Sequence, residues 1–415
     1  MDQTARDRQS ERPGLPNPAA SPRGSNQSGM RAYNERLVLS LVRRHESLAK
    51  SEIARLTGLS AQTVSVIMRA LEAENLLLRG APQRGRVGQP SVPLSLNPDG
   101  VFSLGLKIGR RSADLVLMDF TGQVRQAIHE AFAYPTPEAI LEFTTEGVAE
   151  LTGSLSAPLR ERIGGLGVAT PFELWNWAEE VGAPAEAMEG WRTFDIEREL
   201  GALIHVPVYA QNDATAACGA ELVFGRGADF SDFIYFFVGS FVGGGIVLNG
   251  SLYSGRTGNA GAFGSMPVPG PDGQPAQLID SASIVVLERM MKAAGLDPSG
   301  LWLSPDDWSA VGGEKLLDQW IGQAARSLAH ATAAACAMID FEAVIIDGGF
   351  PTSVRARLTE ALRGELGRLD LQGIDAPQVV EGAVGSRARA IGGASLPLFE
   401  RYLLDQNALL KGQPD

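Results

Sequence analysis

Two cysteines and four histidines among 415 residues leave little material for thiol or imidazole chemistry. Cys218 and Cys336 are too few for a disulfide scaffold or a four-cysteine zinc site, and they fit a reducing, intracellular compartment. His45, His129, His205 and His330 stand far apart with no ligand spacing, so each reads as a core or surface residue. Long apolar runs are missing as well. None approaches the roughly 18 residues of a membrane span, and the first 30 residues lack the apolar stretch of a secretory signal. The expectation is a cytoplasmic protein without membrane contact. Positive charge is also short: 36 Lys and Arg face 48 Asp and Glu, a net −12 that on average argues against nucleic acid. What is present is apolar material. A hydrophobic fraction of 44% excludes a wholly disordered chain, and the length calls for two or three domains.

The average charge hides an asymmetry. Residues 1–100 carry 14 Lys and Arg against 9 Asp and Glu, a net +5, which leaves −17 on residues 101–415. Such a split is a cue for a nucleic-acid or surface interaction. Residues 1–28 are rich in Ser, Pro, Gly, Asn, Gln and Arg without an apolar period and read as a disordered tail. From Asn34 the pattern turns helical through Leu37, Val38, Leu41 and Val42. A second helix is expected from an N-cap at Ser51 to Thr57, and a third, capped by Ser60, carries Val64, Ile67 and Leu71. Ala54, Gly58, Val64 and Ile67 stand where a helix-turn-helix needs a small contact residue, a turn glycine and two apolar anchors. The third helix then presents Gln62, Thr63, Ser65 and Arg69 to a major groove. Two short strands, Leu76–Leu78 and Val92–Leu96, bracket a basic glycine-rich loop. That loop reads as a wing with Arg84 and Arg86 as phosphate or minor-groove contacts.

From Val101 the chain turns β-like: Val101–Ile108, Leu115–Phe120 and Val124 onward, then Gly165–Ala169 and Val206–Ala210 after helical segments. A second strand, glycine loop and strand begins at Phe233, with the loop at Gly239–Gly245. A hairpin opening that recurs about 130 residues later predicts two similar α/β lobes with a cleft between them. The run around Leu328–Ile339 reads as a buried helix.

Five stretches carry a resemblance: Gly105–Gly109, Gln211–Glu221, Gly243–Gly250, Gly258–Gly264 and Asp347–Phe350. Together with the winged module they resemble the repressor branch of the ROK family, regulators and sugar kinases of the actin-like superfamily. The resemblance implies an α/β fold: an N-terminal winged helix-turn-helix followed by a two-lobed actin-like (ribonuclease H-like) body of the ATPase and sugar-kinase type. The divisions expected are a tail at 1–28, a DNA-binding domain at 29–98, lobe I at 101–210 and lobe II at 211–385. A C-terminal helix at about 386–406 is expected to return to lobe I.

The resemblance also marks departures. Lys107 stands where the family's kinases carry the aspartate that positions Mg²⁺ and phosphate, with Arg110 and Arg111 behind it. An ammonium cannot ligate Mg²⁺. Gly264–Ser283 holds neither His nor Cys, Ser265 replacing the family's histidine, so no structural zinc is expected. In the sugar pocket Ala262 replaces a glutamate, and the segment before Gly190-Trp191 lacks the usual asparagine. Asn212, Asp213, Ser265 and Asp280 remain as candidate ligand contacts. Asp213 matches the kinases' general base, but a carboxylate equally accepts hydrogen bonds from two hydroxyls without catalysis. Trp175, Trp177 and Trp191 fit either sugar stacking or core packing. Gly348-Gly349 resembles a nucleotide-side loop or serves as a tight strand-to-helix turn.

The expectation is a sequence-specific transcriptional regulator, a repressor of carbohydrate uptake or catabolism genes, with no enzymatic activity, cofactor or metal. Its partners are double-stranded operator DNA, a sugar or sugar-derived effector, and a second copy in a homodimer or homotetramer. The alternatives are an ATP-dependent sugar kinase with an attached DNA-binding module, and a ligand-free dimerisation scaffold.

Overall fold

The computed structural model describes residues 27–82, 92–172, 174–178, 182–270 and 273–404. Arg84, Arg86 and the tail to residue 26 lie outside the described residues.

Three helices open the chain: α1 (Gln27–Arg44), α2 (Lys50–Thr57) and α3 (Ala61–Ala73). The helix α1 begins upstream of the expected Asn34, and Val38, Leu39, Leu41 and Val42 are buried. The helix α2 starts before Ser51. Ala49 occupies the cap position, and its N–H donates to the Glu52 carboxylate at 2.8 Å, so a side chain one turn inside satisfies the free amide. Gly58 ends α2 at φ 68°, and Ser60 caps α3 by accepting the Thr63 N–H at 3.1 Å. Strands β1 (Ser47–Leu48), β2 (Leu77–Arg79) and β3 (Leu94–Leu96) form an antiparallel sheet in the order β1-β3-β2.

Two five-stranded sheets follow, built to one plan. The first comprises β4 (Phe102–Ile108), β5 (Ser112–Asp119), β6 (Val124–Ala131), β7 (Ile163–Thr170) and β8 (Val208–Asn212), in the order β6-β5-β4-β7-β8. The second comprises β9 (Phe233–Val238), β10 (Val242–Leu248) and β11 (Ser251–Tyr253). After a small hairpin of β12 (Pro267–Pro269) and β13 (Pro275–Gln277), it adds β14 (Ala343–Gly348) and β15 (Gln378–Glu381). Its order is β11-β10-β9-β14-β15. In each sheet an antiparallel meander joins two parallel strands.

Contrary to the glycine loop expected at 239–245, Gly243, Gly244 and Gly245 are strand residues of β10, and the connecting loop is only Gly239–Phe241. The glycines are there for space: a Cβ on Gly245 would stand 2.5 Å from Cys218 Cβ, and one on Gly244 2.0 Å from the Tyr235 carbonyl oxygen. Further helices are α4 (Pro137–Gly153), α5 (Ile196–Ile204), α6 (Asp213–Phe224), α7 (Ile284–Ala293), α8 (Glu314–Met338), α9 (Thr352–Leu366) and α10 (Ala388–Arg401). One face of α8 is buried as far as Cys336, while Arg326, His330 and Ala334 are exposed and Met338 and Ile339 emerge at its end.

The winged module and the first sheet share one apolar cluster. Alternate residues of β5, Val116 and Met118, with Phe120 just beyond it, join Leu398 and Leu403 beneath Val38, Val42 and Leu94. The other face of β5, Ala113, Leu115 and Leu117, packs with α4 residues Ile140 and Phe143. Helix α10 lies against β4, β7 and α6.

Candidate functional site

Two surfaces carry the residues singled out in the sequence. On the recognition helix α3, Val64, Ile67, Met68 and Leu71 face the core, leaving Gln62, Val66 and Arg69 exposed and Thr63 and Ser65 half-buried. The Thr63 hydroxyl lies 2.9 Å from that of Ser60, and Arg69 Nε donates to the Ser65 carbonyl at 3.0 Å. Arg79, at the base of the wing, is held by both carboxylate oxygens of Glu72 at 2.8 and 2.7 Å.

The second surface is a cleft of ≈ 2620 Å³ between the two large sheets. Asn212, Asp213, Ser265 and Asp280 all line it, as do Trp175, Trp177 and Trp191. Their environments differ. Asn212 is the N-cap of α6, its Oδ1 accepting the Ala214 and Thr215 N–H groups at 3.1 and 3.2 Å, so that oxygen is committed to the helix. Ser265 and Asp280 are exposed on the wall formed by the second sheet's appendages. Trp191 is buried in the first lobe's core, donating from Nε1 to the Pro135 carbonyl at 2.9 Å, while Trp177 meets Phe241 edge-on at 5.3 Å.

The floor of the cleft is a set of charges that the linear sequence does not display. Sheet register sets Lys107 opposite Asp114 and Asp114 opposite His129, one row across β4, β5 and β6. Lys107 Nζ, nearly enclosed, lies 2.9 Å from Asp114 Oδ2 and donates to the Ser112 hydroxyl and carbonyl at 2.9 and 3.2 Å. His129 Nδ1 lies 2.6 Å from Asp114 Oδ1. Burial pushes the Lys107 ammonium below its ordinary pKa, while Asp114 and Asp213 oppose that shift. For Asp114, burial acts upward, yet the Lys107 charge and the bonds from His129 and Lys107 hold its carboxyl well below the usual range.

Beside this row Asp213 Oδ2 accepts a bond from Arg389 Nη1 at 3.1 Å, and the Arg389 guanidinium lies 4.8 Å from the Phe237 ring centroid. The segment that leads into α10, and so to Arg389, is anchored by two buried carboxylates. Asp347 accepts the Gly385 N–H at 2.9 Å, and Glu221 accepts those of Ala383 and Val384 at 2.9 and 3.1 Å. Gly348 ends β14, and Gly349, which lines the cleft, donates its N–H to the Val238 carbonyl at 3.0 Å as the chain turns toward α9. Across the cleft Arg110 stacks on Phe241 at 4.6 Å, and Arg111 reaches to 3.8 Å from Glu288.

Neither metal of the kinase branch fits this donor set. Lys107, engaged by three oxygens, offers no lone pair to Mg²⁺. The described part of Gly264–Ser283 supplies hydroxyls and the Asp280 carboxylate but no nitrogen or sulfur ligand for zinc. Among the described residues no three His, Cys, Asp or Glu side chains cluster as a metal site, and no helix is long and apolar enough to cross a membrane.

Residues 103–293 match the ROK family, and residues 31–77 match a winged helix-turn-helix DNA-binding model. The chain carries a ROK domain behind a winged helix-turn-helix. It is 25% identical over 377 residues to the uncharacterized protein y4fQ of Sinorhizobium fredii, covering 89% of this chain and 92% of that one. It is 24% identical over 244 residues to the xylose repressor of Bacillus spizizenii, a match to 59% of this chain and 62% of the repressor's length. The crystal structure of a ROK family transcriptional regulator, a homologue of the E. coli MLC protein, superposes with a TM-score of 0.65 at 20% identity. That match covers 92% of this chain and 98% of the other.

Within the ROK domain the Lys107–Asp114–His129 row has a measurable signature. A carboxylate with a depressed folded pKa contributes stability that is fully present above its unfolded value, near pH 3.9, and lost as pH falls below it. Asp114→Asn is therefore expected to lower the urea midpoint at neutral pH, with the gap from wild type closing as the pH drops below about 4. A gap of constant size down to the acid limit would contradict the ion-pair assignment.

Sequence reasoning missed Asp114, His129 and Arg389. The first two were accessible in principle, since period-2 alternation and hairpin register would have aligned them. Arg389 had no local signal, because its partner lies 176 residues away.

Proposed function

We propose that the protein is a DNA-binding transcriptional regulator whose ROK domain senses a sugar or sugar derivative in the interlobe cleft and no longer transfers phosphate. The observation that carries this reading is the state of the cleft floor. Where phosphoryl transfer needs a metal-positioning carboxylate and a free general base, an ammonium and an arginine-paired Asp213 stand instead. A sugar site without catalytic machinery, joined to a recognition helix with outward polar residues, suits a sensor. The kinship with a xylose repressor supports carbohydrate as the effector class and repression as the mode. In that reading Gln62, Thr63, Ser65 and Arg69, with Arg84 and Arg86 of the wing, contact operator DNA. Asn212, Asp213, Ser265 and Asp280 face the ligand, and two copies read half-sites about 10 base pairs apart.

The test is DNase I footprinting of the full chain on DNA upstream of its own gene at moderate salt. Protection of a paired site is expected. Gln62→Ala should weaken that site by about 1–3 kcal/mol if Gln62 reads a base. Absence of protection together with Mg²⁺- and sugar-dependent ADP release would replace this reading with that of a kinase.

A further inference from the structure

The Asp213–Arg389 ion pair joins the first turns of two helices that both end on the DNA-binding module. Asp213 opens α6, and the far end of that helix, Phe224, lies under the Arg43 guanidinium of α1 at 4.3 Å. Arg389 opens α10. At its far end the Phe399 and Leu403 carbonyls accept bonds from Arg36 of α1 at 2.6 and 2.9 Å, and the Leu404 N–H donates to Ser40 Oγ at 2.8 Å. Between these ends the helices are locked together. A Cβ on Gly392 would stand 2.0 Å from the Ala216 carbonyl oxygen, so the two helices are in direct backbone contact there. Arg36 and Ser40 sit on α1, whose buried face packs with the recognition helix through Val38, Val42, Val64 and Ile67.

We propose that the Asp213–Arg389 pair is the latch between cleft and DNA-binding module. A polyhydroxy ligand donating to Asp213 Oδ2 competes with the Arg389 guanidinium for that oxygen, Oδ1 already accepting the Ala214 N–H at 2.9 Å, and loss of the Arg389 bond releases the α6–α10 unit that seats α1. The inference rests on the reading of the cleft as a ligand site and adds the element that ligand would act on. Hydroxyls can compete here because the pair is small and partly open, each side chain being 15–17% exposed, so solvent and ligand reach it. The chain of contacts is short and made of packed helices and backbone hydrogen bonds, which move as units.

Hydrogen exchange of the full chain, without DNA or ligand, tests it. In Arg389→Met the amides of residues 36–44 are expected to exchange at least about fivefold faster than in wild type, with β14 unchanged. Arg389→Lys, which keeps a cation beside Asp213, should restore most of the protection. Coupling is reciprocal, so Arg36→Met should in turn loosen residues 389–392. Unchanged exchange at 36–44, or an equal acceleration across the whole chain including β14, would overturn the proposal. Because no DNA is present, a failed footprint with coupled exchange would remove only the transcriptional reading. A clear footprint with uncoupled exchange would remove only the latch.

Discussion

Replacing Arg355 with Met is expected to lower the unfolding free energy by about 3 kcal/mol, the low end of what breaking a buried ion pair costs. Asp347 is fully buried, and its Oδ1 lies 2.9 Å from Arg355 Nη1. Without the guanidinium the carboxylate keeps the Tyr235 hydroxyl at 3.3 Å and the Gly348 and Gly385 N–H groups at 2.9 Å each. Those dipoles cannot offset a full charge in an apolar enclosure, which is why the loss is large although three bonds remain. The consequence reaches the cleft, since Asp347 holds the segment that leads to Arg389. Chemical denaturation of Arg355→Met against wild type measures the effect. A loss below about 1 kcal/mol would mean that Asp347 is stabilised by its backbone donors alone.

Gly392→Ala should destabilise by about 1–3 kcal/mol through overpacking, and Tm should fall by several degrees. The added methyl would stand 2.0 Å from Ala216 O and 2.3 Å from Ala216 C, and a backbone cannot rotate away as a side chain would. The control is Gly364→Ala on the exposed face of α9, where nothing lies within 4 Å. There the better helix propensity of alanine should add about 0.5–1 kcal/mol. Opposite signs at two helical glycines, read by thermal unfolding, would establish that the α6–α10 contact is closely packed. Equal, small effects would show that the two helices can part, and would weaken the latch as well.

The features legible in the sequence are those of short physical range. Gly58 and Ser60 mark the helix-turn-helix because a left-handed turn residue and an N-cap act within one turn of chain. The duplicated lobes are visible because strand, turn and strand repeat locally, and the two sheets indeed share one strand order. Local reading fails where a residue's role depends on a neighbour from elsewhere in the chain. Gly243–Gly245 read as a loop because glycine is flexible, yet they sit in β10, where Gly243 and Gly245 make room for α6 and Gly244 for the Tyr235 carbonyl and Phe263. Asn212 lines the cleft and also caps α6 through its Oδ1, two roles its motif does not separate.

The sequence by itself determined that a basic helix-turn-helix precedes an acidic two-lobed body, and that Lys107 replaces the metal-positioning carboxylate. The first conclusion needs only residue identity, charge and local periodicity, and the second follows from the resemblance to the ROK family. Only the tertiary structure decided which partners Lys107 and Asp213 take. Lys107 is neutralised by Asp114 across a strand pair and Asp213 by Arg389 from the last helix. Charge pairing falls off with distance in space and is blind to distance along the chain. An arginine 176 residues away therefore sets the state of the cleft.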